Sequence, residues 1–324
     1  MTNLITLTRS RIQLGLRNKM FFFFSAFMPL AFFFLYAGIF AKGDPEKVRY
    51  LLGPVLSFSV MGSFWGMSAA LVIYREQGIL RRFHVTPVSA ADMLASSILA
   101  NYALTLPVIA LELLLARFLF HVHNFGNLYS LLLIVTIGTV AFGSLGLVVA
   151  SITNTMQETQ ILNQLIWLPL IFLSGATIPL PSLPTFVQRF SVFLPATYAV
   201  SGLQKSLFGT IAHPDGAYPT DLLLELGALA FWGCITFFLS TQLFRWEPEA
   251  KIPRNAKLWA VSTILPFVLL GIWENSHGTL QAQSRAAMDR LDNRRSTDKA
   301  PSKSQDQPAE KSPAAPANSD APKQ

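Results

Sequence analysis

The most chemically loaded stretch of this 324-residue sequence is YREQGILRRFHVTPVSAADMLAS, Tyr74 to Ser96. Glu76, Leu80, Phe83 and Pro87 recur at helical spacing with Ile79 beside Leu80, and Arg75, Arg81, Arg82 and His84 flank that stripe. Side chains of these types at this spacing dock rather than catalyse. They fit a short amphipathic helix at a membrane interface that presses on a cytosolic partner, and they equally fit a solvated turn with basic residues. Such a helix stops near Thr86-Pro87, because proline disfavours helix in the residue before it. Ser89 and Asp92, three apart, then read as the cap of the next helix.

Elsewhere the chemistry is sparse. No Gly is followed by Lys, so a phosphate-cradling Gly-x-x-x-x-Gly-Lys-Ser/Thr loop is not encoded. His84, His121, His123, His213 and His277 are scattered, and the closest two are two residues apart, which puts them on different faces of a helix. No metal site is expected. A single cysteine, Cys234, excludes an internal disulfide. Ser, His and acidic residues fall on opposite sides of the expected membrane, leaving a hydrolytic triad without support. A membrane-embedded transferase would need clustered carboxylates holding a divalent metal. Asp44 with Glu46 and Asp221 with Glu225 come nearest, and neither pair is convincing.

The elements that must position these residues are apolar helices. The chain is 52% hydrophobic and 13% charged, with 26 Phe and a mean hydropathy of +0.42. A soluble domain carries about a quarter charged residues. Hydrocarbon needs about 20 apolar helical residues per crossing. Runs of that kind cover 20–41, 50–74, 93–117, 128–150, 161–180 and 222–244. A shorter run, 258–273, contains Pro266 and is a candidate seventh span or an interfacial helix, with Trp259 and Trp273 as anchors. Residues 1–19 read as a cytoplasmic interfacial helix. The segment 276–324, rich in Ala, Pro, Ser, Lys and Gln, is expected to be disordered.

With the N-terminus inside, the cytoplasmic segments hold 11 Lys and Arg against 6 in the opposite loops, so the N-terminus is expected in the cytoplasm. The side of the C-terminal tail depends on whether 258–273 crosses. The net charge of +7 is dispersed over loops and tail, with no basic and aromatic patch, which argues against nucleic acid.

Ionisable residues within the spans are few. Glu112 and Glu225 lie toward the outer ends of their helices and are expected to snorkel to water. A proton relay would want groups near mid-membrane, and the six spans hold none there. Asn101, Asn163 and Gln164 are candidates for a transport pathway or a dimer seam, or else ordinary helix-to-helix amide bonds.

Two stretches resemble a known family. Glu76-Gln77-Gly78-Ile79-Leu80-Arg81-Arg82 followed by Thr86-Pro87-Val88-Ser89 looks like the coupling region of type-2 ATP-binding-cassette (ABC) exporter permeases, although the threonine frequent after the glycine is Ile79 here. FLSGATIPLPSLPTFVQRFSVFLPATYAVSGLQ, Phe172 to Gln204, is similar to the family's C-terminal half: Leu-Ser-Gly, spaced prolines, then Leu-Pro-x-Thr-Tyr. The resemblance implies an all-α polytopic membrane protein, with a six-span permease domain over 20–250 and the seventh run and tail outside that pattern. It implies a coupling helix over 75–88 that seats in a cytosolic ATPase, with Glu76, Gly78, Arg81, Arg82 and Pro87 as the coupling residues. Outer re-entrant helices over 183–207, with Gly175, Pro179, Phe190, Pro195 and Tyr198, would form an outer gate. The chain would be the non-enzymatic membrane subunit of an exporter in the cell inner membrane. It would carry no cofactor itself; ATP and Mg would sit on a partner ATPase dimer, beside a second permease copy or a paired relative. A non-transporting membrane partner is the remaining alternative, and the cargo is not identified by the residues.

Overall fold

The computed structural model describes residues 2–17, 19–84, 88–210, 212–246 and 255–299, and all regular structure among them is helical. In chain order the helices are α1 (Thr2–Arg17), α2 (Lys19–Leu35), α3 (Pro45–Glu76), α4 (Ile79–His84), α5 (Ala90–Leu119), α6 (Leu128–Ile152) and α7 (Met156–Leu173). There follow α8 (Thr185–Ser191), α9 (Pro195–Phe208), α10 (Leu223–Leu243), α11 (Ala256–Ser262), α12 (Leu265–His277) and α13 (Thr279–Lys299). Helix α2 continues into a π-helical turn, Tyr36–Phe40. Among the described residues four segments are long and apolar enough to cross a membrane alone: α3, α5, α6 and Pro219–Leu243, which contains α10. The chain is an all-α polytopic membrane protein.

Side-chain caps set the helix starts. Asp44 accepts from the Glu46 amide at 3.1 Å, with Pro45 in the first turn of α3. Ser89 accepts from the Asp92 amide at 3.0 Å to open α5, and the Asn127 side-chain Oδ1 accepts from the Tyr129 and Ser130 amides to open α6. Helices α3 and α6 are the central pair, and α9 and α10 pack around them. Gly146 permits the close approach, since a Cβ there would collide with the Phe64 carbonyl. Lipid tails are as apolar as Leu, so packing and hydrogen bonds, rather than exclusion of water, hold these helices together.

The bundle has two distinguishable ends. Arg75, Arg81, Arg82 and Arg245 mark the basic end, where Leu71, Val72, Leu80, Met93, Leu94 and Leu147 form a second apolar cluster. Helices α8 and α9 mark the hairpin end.

Three regions differ from expectation. The fifth span, expected over 161–180, is a helix from Met156 to Leu173, because Gly175 at φ +89 turns the chain before the prolines. The amphipathic helix expected over 75–88 divides: Glu76 ends α3, Gly78 at φ +69 breaks the helix, and α4 begins at Ile79.

The third difference lies at the C-terminus. Residues 258–273 belong to two helices, α11 and α12, bent at Thr263-Ile264 just before Pro266 enters the first turn of α12. They run antiparallel to α10. The Trp232 indole donates to the Thr263 carbonyl at 3.1 Å, Phe267 packs against Trp232 and Tyr198, and Asn275 donates to the Arg189 carbonyl beside α8. This path reaches the hairpin end. Residues 279–299, expected to be without regular structure, form α13. Gln, Ala, Arg, Met and Leu are good helix formers, and a partner surface supplies the packing their composition lacks.

Candidate functional site

The candidate coupling segment is built on the end of α3. Leu80 is fully buried in the apolar cluster at the basic end, which pins α4, while Arg81 and Arg82 are exposed beside it. Neighbouring positions on a helix point to different faces, so anchoring Leu80 presents both arginines outward. Pro87 lies outside the described residues. Glu76 is exposed, but its carboxylate accepts from the Met156 amide at 2.8 Å, at the start of α7. A carboxylate is favourable at a helix N-terminus.

Around that contact four helix ends are tied together. Arg75, 1% exposed, donates to the carbonyls of Ala150 (2.9 Å) and Thr153 (2.6 Å). Arg245 donates to the carbonyls of Ser151 (3.2 Å) and Thr153 (2.7 Å) and to the Asn154 side chain (3.2 Å). Burial lowers the Arg245 pKa from its ordinary value, while the Glu158 charge acts in the opposite sense. Two guanidinium groups thus cap the C-terminal carbonyls of α6, where a helix end favours positive charge. Sequence reading placed Arg75 among the flanks of a surface helix and missed Arg245 and Thr153 altogether. The signal was the arginine immediately after each of two spans, but nothing local shows that both meet one carbonyl.

Arg75→Ala is expected to destabilise the detergent-solubilised protein by about 2–3 kcal/mol, because hydrogen bonds from a charged donor to buried carbonyls are lost. Arg75→Lys should recover part of it, a single ammonium being unable to reproduce the guanidinium fork. Size-exclusion profiles after graded heating measure this. An unchanged midpoint in the alanine variant would show that the guanidinium does not hold the helix ends.

The intramembrane amides separate. Asn163 is buried and donates to the Ser68 hydroxyl at 2.7 Å, tying α7 to α3 within the chain. Gln164 is exposed on α7 beside Ile161, Leu165 and Leu168. Asn101 lines a cleft with Arg11, Gly66, Ala70 and Tyr74, on a different face of α3 from Ser68. The structure does not bring Asn101 and Asn163 together.

The gate candidates lie at the hairpin end. Gly175 is buried, Pro179 leads a single 3-10 turn (Leu180–Ser182), and Pro195 occupies the first turn of α9 instead of ending α8, which stops at Ser191. Tyr198 is fully buried and its hydroxyl donates to the Val192 carbonyl at 2.8 Å; Thr197 donates to the Ser191 carbonyl at 2.6 Å. These bonds fold α8 onto α9. Phe190 is half exposed, and Phe186 is more exposed still.

The two carboxylates expected to snorkel do neither. Glu112 is fully buried and accepts from the Ser59 hydroxyl at 3.1 Å. Glu225 is fully buried, paired with the Lys205 ammonium, and accepts from Ser201 at 2.9 Å. Neighbouring helices cover both, so water does not reach them. The other paired carboxylates are engaged too: Asp44 with Lys47 at 3.7 Å, Glu46 with Arg49 at 3.9 Å and Asp221 with His213 at 2.8 Å. Among the described residues no three metal-ligating side chains converge.

Between α6, α7, α10 and the α11–α12 segment lies a cavity of about 770 Å³. Val148, Leu162, Ile166, Phe193, Trp232 and Phe267 line it, with Thr153 and Glu158 at its basic end. That size and lining suit an apolar molecule of drug size.

Relatives share stretches of this chain. It is 26% identical over 186 residues to the linearmycin resistance permease protein LnrN of Bacillus subtilis (strain 168), covering 57% of this chain and 46% of that protein. Over 118 residues it is 35% identical to nodulation protein J of Rhizobium leguminosarum bv. trifolii, covering 36% and 42%. Over 192 residues it is 28% identical to the probable multidrug ABC transporter permease YbhS of Escherichia coli (strain K12), covering 59% and 48%. The chain thus spans less than half the length of each of these relatives. A family profile described as ABC-2 type transporter matches residues 2–208, from the first helix through the coupling segment to the end of α9. With both resembling stretches inside that match, the chain belongs to the ABC-2 type transporter family.

Proposed function

We propose that this chain is the membrane-spanning subunit of an ATP-driven exporter that moves an amphipathic, drug-like or lipid-linked cargo outward by alternating access. The observation that carries this reading is α4: a short helix anchored by Leu80, presenting Arg81 and Arg82, and joined through α3 to the Arg75–Thr153–Arg245 junction. A push on α4 from a cytosolic partner reaches α6, α7 and α10 through that junction. ATP and Mg belong to a separate ATPase dimer, since no phosphate loop is encoded here. Gly78 lets α4 turn from α3, and Glu76 links α3 to α7.

The protein sits in the cell inner membrane with its N-terminus and basic end in the cytoplasm, which places the hairpin end and α13 outside. The exposed face of α7, with Gln164 among Ile161, Leu165 and Leu168, faces a second copy or a paired relative, because an amide facing lipid is unfavourable. Gly175, Pro179, Phe190, Pro195 and Tyr198 form the outer gate. The names of two relatives, a resistance permease and a probable multidrug permease, favour a drug-like cargo, and the apolar cavity is compatible with one.

The test is uptake into inverted membrane vesicles containing this chain and a candidate partner ATPase, with a panel of lipophilic cations and lipid-linked glycans. ATP-dependent accumulation of one class is the expected result. No accumulation of any probe, with both subunits present and ATP hydrolysed, would defeat the exporter reading.

A further inference from the structure

The segment beyond the family match makes one continuous set of contacts with the hairpin. Gly271 lies against the Phe193 ring so closely that a Cβ would collide with it. Asn275 donates to the Arg189 carbonyl at 3.1 Å. Glu274, 1% exposed, then fixes the turn into α13: its carboxylate accepts from the Thr279 hydroxyl (2.9 and 2.7 Å) and from the Leu280 amide (2.5 Å), with Gly278 at φ +66 between the helices. Helix α13 crosses the hairpin. Gln281 donates to the Gln188 carbonyl (3.3 Å), Arg285 to the Gln188 side chain (3.2 Å), and Leu280 and Ala287 are buried against it. Gln188 is itself buried, its amide donating to the Leu183 carbonyl at 2.7 Å.

We propose that α12 and α13 form a strap that fastens the α8–α9 hairpin closed and walls the apolar cavity, and that export requires the strap to release. The proposal rests on the reading of the hairpin as a gate. Its physical basis is that the fastening side is polar and thinly packed, whereas the α12 side is apolar and close. Phe267 sits between Trp232 and Tyr198, ring centroids 5.3 and 5.4 Å away, and stays with the bundle. Among the described side chains, the α13 side is held by hydrogen bonds to Gln188, the Ser182–Met288 contact, and a buried Leu280 and Ala287. A contact of that size opens readily. Gly278 is the pivot, since its left-handed backbone links the two helices and Glu274 alone is seen bracing the turn among the described side chains.

Ser182 and Met288 face each other at 4.0 Å, which makes the closed state trappable. In a Cys234→Ser background, Ser182→Cys with Met288→Cys should cross-link in native membranes under mild oxidant. The cross-linked protein should transport on the order of tenfold more slowly, and reduction should restore it. Failure to cross-link, or unchanged transport once cross-linked, overturns the strap. A second measurement is independent of transport. Gln204→Cys lies in the small pocket beneath α13, together with Leu280, Gln283 and Ala287. Adding Glu274→Ala should raise its labelling by a membrane-impermeant maleimide on the order of tenfold, because the cap on α13 is lost. An unchanged labelling rate overturns the strap even if no cargo is ever found. A strap that cross-links and gates labelling in a protein without transport condemns the exporter reading alone.

Discussion

Reversing both charges of α4, in Arg81→Glu with Arg82→Glu, is expected to abolish ATP-driven transport while leaving membrane insertion at the parental level. Leu80 is the anchor of α4 and is untouched, so the helix keeps its place against Val72, Met93 and Leu94. The two substituted side chains are exposed. An arginine at the centre of a docking surface is worth about 2 kcal/mol or more, so affinity for the ATPase should fall roughly 30-fold per residue. The reversal adds repulsion from the same groove. Co-purification of the ATPase should fall together with vesicle transport, while ATP hydrolysis by the freed subunit continues. Parental transport and parental co-purification in the double variant would sink the coupling assignment.

The second large effect concerns the ion pair at the hairpin end. Glu225→Ala leaves the Lys205 ammonium 9% exposed with its carboxylate gone and removes the acceptor of Ser201. Breaking a buried pair from one side costs about 3–5 kcal/mol, because the remaining charge stays desolvated. The variant should melt markedly earlier in detergent and accumulate poorly in the membrane. Replacing both partners, Lys205→Met with Glu225→Leu, should recover most of the loss, since neither charge then has to be buried. A single variant as stable as the parent, or a double variant no better than the single, would show that the pair is not what joins α9 to α10.

The coupling segment and the hairpin were readable from local signals. Gly78 between two helical patterns, Leu80 among basic residues, and the spaced prolines 179, 181, 184 and 195 each constrain their own backbone. Their consequences stay within a few residues. Roles that depend on a distant partner were not readable. Glu225 looked like a carboxylate reaching for water because it lies toward the outer end of its span; Lys205, 20 residues earlier on another helix, covers it instead. Asn163 looked equally suited to a seam or an internal bond, and Ser68 on α3 decided for the internal bond. The segment 279–299 looked unstructured because it has too few apolar residues to fold by itself, yet it lies on a surface that another part of the chain provides.

The sequence by itself determined that this is a multi-span helical membrane protein and where its apolar runs lie. Those properties follow from the length of each apolar run and from which charges interrupt it, and solvent enforces them one segment at a time. The tertiary structure decided that Arg75 and Arg245 meet on the Thr153 carbonyl, that Lys205 neutralises Glu225, and that Glu274 turns α13 onto the hairpin. Each of these joins residues on different helices. Such contacts form when packing sets two helices at the right height and rotation, which no single stretch of chain encodes.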